Sequence, residues 1–204
     1  DNFEFFRFKY RILSKVKETR DFRNYLATVA ADKRSTEFQK VMATYGMSQV
    51  RKDENAFDSS LTLLDEVMEH FPDRNDLKVD RGVIEFEAGR FEDAEKTLRD
   101  ALATDNRNLY ASFTLGQLLY RTGRLSEAEK HFKSVSYDLP EYPKIFFELG
   151  KIASDNKHRG LSNFYLGKYN LYEGKLKLAK EGFRSALRDG TLPEAEKEES
   201  SRLM

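Results

Sequence analysis

Cysteine is absent from this chain of 204 residues. Without a thiol, the protein can form neither a disulfide nor a thiolate zinc site, and it has no cysteine nucleophile. The absence of cysteine fits the cytoplasm and the periplasm equally. Net charge is also absent, because 35 basic and 35 acidic side chains cancel. A balanced sequence lacks the net basic surface that nucleic-acid binding needs, so we expect no nucleic-acid partner.

Long apolar runs are missing as well. No stretch approaches the roughly 18 apolar residues of a membrane-spanning helix, so we expect no transmembrane segment. Apolar residues make up 39% of the chain and charged residues 34%, which is too apolar for a disordered protein and too charged for a membrane protein. The first residues, Asp1, Asn2 and Phe3, show no signal-peptide pattern and no initiator methionine. We therefore interpret the sequence as a fragment of a longer protein or as a mature form.

A period of 34 residues runs through the middle of the sequence. Gly82, Gly116 and Gly150 are each 34 residues apart. The segment GRFEDAEK at 89–96 returns with the same shift as GRLSEAEK at 123–130. A fixed period of this length indicates stacked structural repeats rather than one globular core.

The repeated residue types fit a pair of antiparallel helices. Gly82 lets two helices approach closely, and Gly89 supplies the backbone freedom for the turn between them. Ala94 is small where the paired helix crosses, and Leu98 fills the space one turn further on. Pro72 ends the second helix of the preceding pair before the next pair begins.

This pattern is similar to the tetratricopeptide repeat (TPR) family over about residues 75–140 and more loosely on either side. The resemblance implies an all-α fold, a right-handed superhelical solenoid of antiparallel helix pairs. We predict a TPR-like array over residues 41–190 with about four helix pairs, the last of them irregular. In that last pair, a helix at about 160–173 is predicted to pack against both the preceding and the following helix. Residues 191–204 are predicted to be a polar tail or a solvated helix.

Residues 1–40 form a separate N-terminal segment. It begins with an aromatic helix from Asn2 to about Thr19, followed by a connection or a short helix over 21–35. Two apolar stripes lie side by side on the first helix: Phe3, Phe6, Tyr10 and Leu13, and then Phe5, Phe8, Ile12 and Val16. So wide an apolar surface indicates contacts on more than one side. The helix either caps the array or docks on a neighbouring domain, and a membrane-surface helix explains the aromatics less simply.

No catalytic motif is present. The three histidines, His70, His131 and His158, form no His-x-x-x-His pair and none is followed by Glu, so the zinc-protease helix is missing. Neighbouring carboxylates such as Glu92 and Asp93 recur with the period, as expected of a solvated face. We therefore predict that this chain is not an enzyme and needs no cofactor or metal. The catalytic alternative is an enzyme whose site forms at an oligomer interface.

A partner is predicted to bind on the concave side of the array, which the first helix of each pair lines. The ten positions predicted to face it are Tyr45, Gln49, Val79, Phe86, Tyr110, Phe113, Gln117, Tyr120, Phe147 and Lys151. Rigid aromatic side chains suit extended or apolar polypeptide segments, with the basic groups for orientation. The predicted partner is therefore a protein or peptide. For each of the ten, the alternative is a place between packed helices.

The order of several segments resembles the C-terminal repeat region of the M48 family of zinc metalloproteases, whose bacterial periplasmic members carry such an array after the catalytic domain. These segments are DNFEFF at 1–6, RIL at 11–13, ATYGM at 43–47, Leu64 with Pro72, and GLSNFYLGKYNLYEG at 160–174. The match spans nearly the whole sequence, and its motifs are soft.

This second resemblance implies a periplasmic protease as the parent protein, acting in quality control of outer-membrane assembly. The zinc-binding His-Glu-x-x-His helix would lie upstream of Asp1, so the zinc would belong to that domain and no catalytic residue carries over. The array would then bind substrates, partners or its own protease domain, with the aromatic helix nearest to that domain. The alternative is a stand-alone scaffold or assembly adaptor with no protease domain.

Overall fold

The computed structural model describes residues 2–16 and 19–204, which form twelve α-helices and no β-strand. The helices are α1 (Asn2–Val16), α2 (Thr19–Ala31), α3 (Glu37–Asp53), α4 (Phe57–His70), α5 (Asn75–Glu87), α6 (Phe91–Thr104), α7 (Leu109–Arg121), α8 (Leu125–Asp138), α9 (Pro143–Asp155), α10 (Arg159–Tyr172), α11 (Leu176–Leu187) and α12 (Glu194–Arg202). The predicted all-α class of helix pairs is confirmed. No helix in these two ranges is long and apolar enough to cross a membrane.

The protein divides into two compact units. Unit 1 is Asp1–Asn106, with α1 to α6, and unit 2 is Arg107–Met204, with α7 to α12. The predicted domain boundaries at residues 40 and 190 mark where the repeat begins and ends, whereas the two units are defined by their internal packing. The predicted boundaries therefore stay a prediction.

Helix pairs are the building block of both units. In unit 1, α3 pairs with α4 and α5 with α6; in unit 2, α7 pairs with α8 and α9 with α10. Helix α10 also packs against α11 as extensively as against α9. The structure thus has the shared helix that the half-period spacing of Leu149-Gly150 and Leu166-Gly167 predicted.

The core repeats a pattern of residue sizes. Helices α6, α8 and α11 each bury a small residue, then a large one, then a small or medium one, about one turn apart. These triplets are Ala94, Leu98 and Ala101 in α6, Ala128, Phe132 and Val135 in α8, and Ala179, Phe183 and Ala186 in α11. Burial of these apolar faces is the main favourable contribution to the fold, and it requires the partner helix to be present.

The turns between paired helices contain one residue in the left-handed region. Gly89, Gly123 and Gly174 have φ values of 78°, 79° and 74°. Asn55 and Lys157 take the same role with φ of 60°, and both are in phase with Gly89 and Gly123. Left-handed backbone is costly for a residue with a Cβ, especially for one that is not Asn or Asp.

We expect Lys157→Gly to raise the free energy of unfolding by about 0.5–1 kcal/mol, because glycine removes the steric cost of the left-handed conformation. Urea unfolding followed by circular dichroism measures the change. Asn156→Gly is the matched control: with φ of −77°, this position has no such cost to relieve, so glycine should destabilise. An equal or lower midpoint for Lys157→Gly than for the parent protein would contradict the prediction.

The two ends of the protein are also helical. Helix α1 buries Phe3, Arg7, Tyr10 and Ser14, whereas the second predicted stripe is exposed, with Phe8 at 68% and Val16 at 70%. The segment 21–35, left open between a connection and a helix, contains most of α2; residues 17 and 18 lie outside the described residues. At the other end the polar segment forms α12, which packs against α11 and α10.

Candidate functional site

The ten predicted partner-facing residues separate into two groups. Those in unit 1 are buried: Tyr45 and Val79 are 0% exposed, Gln49 is 2% and Phe86 is 6%. The six in unit 2 are half-buried or exposed: Tyr110, Phe113, Gln117, Tyr120, Phe147 and Lys151. The prediction that these four side chains face a partner is therefore wrong for unit 1. They lie between packed helices, which was the alternative for each of them.

Helix α1 is one cause of this burial. The guanidinium of Arg7 donates from Nε to Asp80 Oδ2 at 2.7 Å and from Nη2 to Oδ1 at 3.0 Å. The hydroxyl of Tyr45 donates to the same Oδ2 at 2.9 Å. The Tyr10 ring reaches the backbone of α3 beside Gly46. Helix α1 thus packs against α3 and is bonded to α5, the two helices expected to form the open face.

The N-terminal end of α1 is fixed by a second set of contacts. The Phe3 ring meets the Phe71 ring edge-on at a centroid distance of 5.1 Å. The Arg74 guanidinium lies 4.5 Å from the Phe3 centroid and 3.9 Å from Glu4. These side chains hold α1 against the start of α5, so the aromatic helix acts as a cover within unit 1.

Charge in this buried cluster is balanced. Burial alone would lower the pKa of Arg7, but the neighbouring Asp80 carboxylate outweighs it and holds that pKa above its ordinary range. Burial, and then the charge of Asp80, raise the pKa of Tyr45 well above its usual value. The cluster therefore consists of a cation, an anion and a neutral phenol, a set that serves packing of α1 rather than ligand binding.

Unit 2 presents an accessible counterpart, which we call the partner face: Tyr110, Phe113, Gln117 and Tyr120 of α7 with Phe147 and Lys151 of α9. A pocket of about 300 Å³ opens on it. The pocket is lined by Phe113, Gln117, Lys144, Phe147, Glu148 and Tyr169. The ring centroids of Phe147 and Tyr169 are 5.4 Å apart, so aromatic side chains from α7, α9 and α10 meet here.

A polar network forms one side of this pocket. Gln117 Nε2 donates to Glu148 Oε1 at 3.0 Å, and Lys151 Nζ donates to Glu148 Oε2 at 2.7 Å. The Lys151 ammonium also lies 4.1 Å from the Tyr120 ring centroid and 5.7 Å from that of Phe147. Both carboxylate oxygens of Glu148 and the charge of Lys151 are therefore already engaged.

Tyr120 extends the polar network to Asp155, the last residue of α9. Its hydroxyl donates to Asp155 Oδ2 at 2.7 Å. This hydrogen bond, with burial as a smaller cause, raises the pKa of Tyr120 to about 12, so the phenol is neutral at physiological pH and keeps donating. Tyr120 is thereby held in place on the partner face, with its ring beneath Lys151.

Two aromatic contributors lie outside the predicted set. Tyr142, in the turn before α9, has its ring 6.0 Å from that of Phe113. Tyr169 comes from α10, a second helix, whereas the prediction used only first helices. The period offered a signal for it: Tyr169 occupies the position of Ala101 and Val135 in the earlier pairs, and so large a residue there extends beyond the core.

Metal binding gains no support from the side-chain arrangement. Within residues 2–16 and 19–204, no group of three or more His, Asp or Glu side chains is placed to hold a metal ion. The absence of a cofactor stays a prediction.

Two family models, both described as tetratricopeptide repeat, match residues 45–108 and 85–146. Together they cover half of the sequence. The chain belongs to the tetratricopeptide repeat family. No curated protein matches its sequence.

Solved structures of TPR proteins share the fold. MamA (MSR-1) superposes with a TM-score of 0.59 at 18% identity, covering 84% of this chain and 96% of that one. YrrB, described as a TPR protein with an unusual peptide-binding site, gives a TM-score of 0.59 at 18% identity, covering 88% of this chain and 90% of YrrB. At these identities the likeness shows the fold alone. Neither the TPR models nor these structures support the resemblance to M48 proteases.

Proposed function

We propose that this TPR protein is a protein-interaction module that holds a polypeptide segment on the partner face of unit 2. The observation that carries the proposal is the aromatic pocket between Phe113, Phe147 and Tyr169. It lies on the face that the repeat spacing predicts for partners.

The size and lining of the pocket suit one large side chain of a ligand. A volume of about 300 Å³ is at the lower end of ordinary ligand sites. Aromatic anchors that fill such pockets dominate the affinity of many protein interfaces, because they remove a large apolar area from water at little entropic cost. Phe147 is 43% exposed, so its ring has a surface still to bury.

Burial of the equivalent residues in unit 1 supports a binding site that is confined to unit 2. The equivalent side chains, including Tyr45 and Val79, are buried, and α1 is bonded across α3 and α5 through Arg7. A partner would have to displace a buried ion pair to reach them. The accessible half of the predicted groove is the half that we assign to binding.

We expect Phe147→Ala to weaken peptide binding about 10-fold or more, because a central aromatic anchor is worth about 2 kcal/mol. Peptides would be selected on the immobilised 204-residue protein from a random display library, and their affinities measured by fluorescence anisotropy. Tyr137→Ala is the matched control: this tyrosine of α8 is 88% exposed and is not part of the pocket lining, so its loss should leave affinity unchanged. Equal affinities for the parent protein and Phe147→Ala would rule out this face as the binding site.

A narrower proposal places the module in a larger protein, as the recognition region of an M48 zinc metalloprotease in the periplasm. Its support is the order of segments such as 1–6, 43–47 and 160–174. The competing proposal is a stand-alone scaffold or assembly adaptor. The complete gene sequence separates the two, since the protease proposal requires a His-Glu-x-x-His helix upstream of Asp1.

A further inference from the structure

Two lysines near the pocket have different roles: Lys144 is part of its lining, and Lys151 is not. Lys151 is engaged three times: it is paired with Glu148 at 2.7 Å, and its ammonium lies over the rings of Tyr120 and Phe147. Its charge is therefore neutralised within unit 2. A ligand would gain little from Lys151 without first breaking the pair with Glu148.

Lys144 lines the pocket, one helical turn before Phe147, and its side chain is exposed. Within the described ranges it has no ion-pair partner: the carboxylate of Glu148 is taken by Gln117 and Lys151, and Glu141, three residues earlier, makes no pair with it. Lys144 thus places an uncompensated positive charge beside an apolar aromatic pocket.

We propose that the segment bound by this pocket carries an aromatic or large apolar side group next to a carboxylate, and that Lys144 binds the carboxylate. This rests on the proposed function, because it names the chemistry of the ligand for the same site. The anchor fills the space between Phe113, Phe147 and Tyr169 while the acidic group reaches the ammonium at the rim. The carboxylate is that of an aspartate or glutamate residue within the bound segment.

The positive charge of Lys144 disfavours a basic or a neutral residue next to the anchor of the ligand. A basic residue beside the anchor would meet Lys144 at short range, where a partly desolvated like-charge contact is unfavourable. Glu148 would compensate it little, because its charge is already paired with Lys151 and its other oxygen accepts from Gln117. A neutral residue fits but leaves Lys144 without a partner, so the preference should order acidic ligands above neutral ones and neutral ones above basic ones.

Short synthetic peptides test the proposal on the 204-residue protein. The parent probe is Ac-Gly-Ser-Gly-Phe-Glu-Gly-Ser-Gly-NH2, compared with versions carrying Gln or Lys in place of Glu, and Ala in place of Phe. A further arm, Ac-Gly-Ser-Gly-Phe with a free carboxyl end, separates a terminal carboxylate from that of an acidic residue. Dissociation constants come from chemical-shift titrations of the isotope-labelled protein, which detect weak complexes.

The expected result is that the Glu peptide binds about 2- to 5-fold more tightly than the Gln peptide, the upper range of an exposed ion pair. Lys144→Ala should abolish that difference between the Glu and Gln peptides. Lys144→Glu should reverse the order, so that the Lys peptide binds best. Lys177→Ala, an exposed lysine of α11 outside the pocket lining, is the matched control and should retain the parent preference.

Failure of the inference and failure of the proposed function give different results. If the peptides bind through Phe and lose affinity in Phe147→Ala, but Glu, Gln and Lys versions bind alike, the acidic preference is wrong and the site stands. An equal loss of preference in Lys177→Ala and Lys144→Ala would also overturn the inference, since overall charge would then be the cause. If no Phe peptide binds the parent protein, both fail.

Discussion

Gly182→Ala is expected to lower the free energy of unfolding by about 2–3 kcal/mol, the upper part of the range for overpacking one methyl group. A Cβ at this position of α11 would lie 2.9 Å from Gly167 Cα, 3.1 Å from Gly167 N and 3.2 Å from the carbonyl oxygen of Asn163. All three atoms belong to the backbone of α10, so none of them can rotate away from the added methyl. The two helices would have to separate along their contact.

The matched control is Gly190→Ala, where a Cβ meets no heavy atom within 4 Å. That variant should be as stable as the parent protein or more stable, since alanine reduces the freedom of the unfolded state. Urea unfolding monitored by circular dichroism gives both values. Indistinguishable midpoints for Gly182→Ala and Gly190→Ala would show that α10 and α11 do not approach as closely as these distances require.

This contact also bears on the partner face, because α10 carries Tyr169. The Tyr169 ring lies 5.4 Å from Phe147, and α10 is held between α9 and α11. A shift of α10 caused by the added methyl would move one aromatic wall of the pocket. We therefore expect Gly182→Ala to weaken peptide binding as well as stability, whereas Gly190→Ala should affect neither.

The repeat was predictable because it depends on short-range spacing. Two glycines of the turn, Gly89 and Gly123, reveal their role by residue type, since few other residues adopt a left-handed φ at low cost. Lys157 and Asn55 occupy equivalent turns with φ of 60°, and residue type alone did not reveal them. At Lys157 the packing of the helix pair imposes the left-handed turn on a residue type that does not favour it, whereas asparagine at position 55 adopts it at a lower cost.

The ten residues predicted to face a partner are accessible only in unit 2. The positions of Tyr45 and Phe113 are equivalent in the period, yet the first is buried and the second is half-buried. The difference arises outside the repeat, from α1. Its buried face includes Arg7 and Ser14 along with Phe3 and Tyr10, so an argument based on apolar stripes could not place it against α3 and α5.

Arg7→Met is expected to lower the stability of unit 1 by about 3 kcal/mol, because it leaves a buried carboxylate without its main cation. Asp80 is 3% exposed, and its oxygens receive two of the hydrogen bonds of the Arg7 guanidinium. After the substitution, Asp80 keeps the Tyr45 hydroxyl at 2.9 Å and a more distant Arg11 at 3.8 Å. Urea unfolding measures the loss, and faster hydrogen exchange of α1 amides should show where it occurs.

Two further variants show whether the effect is specific to the buried pair. Lys133→Met removes the more exposed pair with Glu129 in α8 and should cost less than about 0.5 kcal/mol, as exposed pairs do. The double variant Arg7→Met with Asp80→Leu removes both charges, so it should recover much of the stability lost in Arg7→Met. If Arg7→Met costs no more than Lys133→Met, the pair does not hold α1. If the double variant is less stable than Arg7→Met, the cost comes from lost packing of the arginine stem or from the Tyr45 hydroxyl, which loses its acceptor, rather than from an isolated charge.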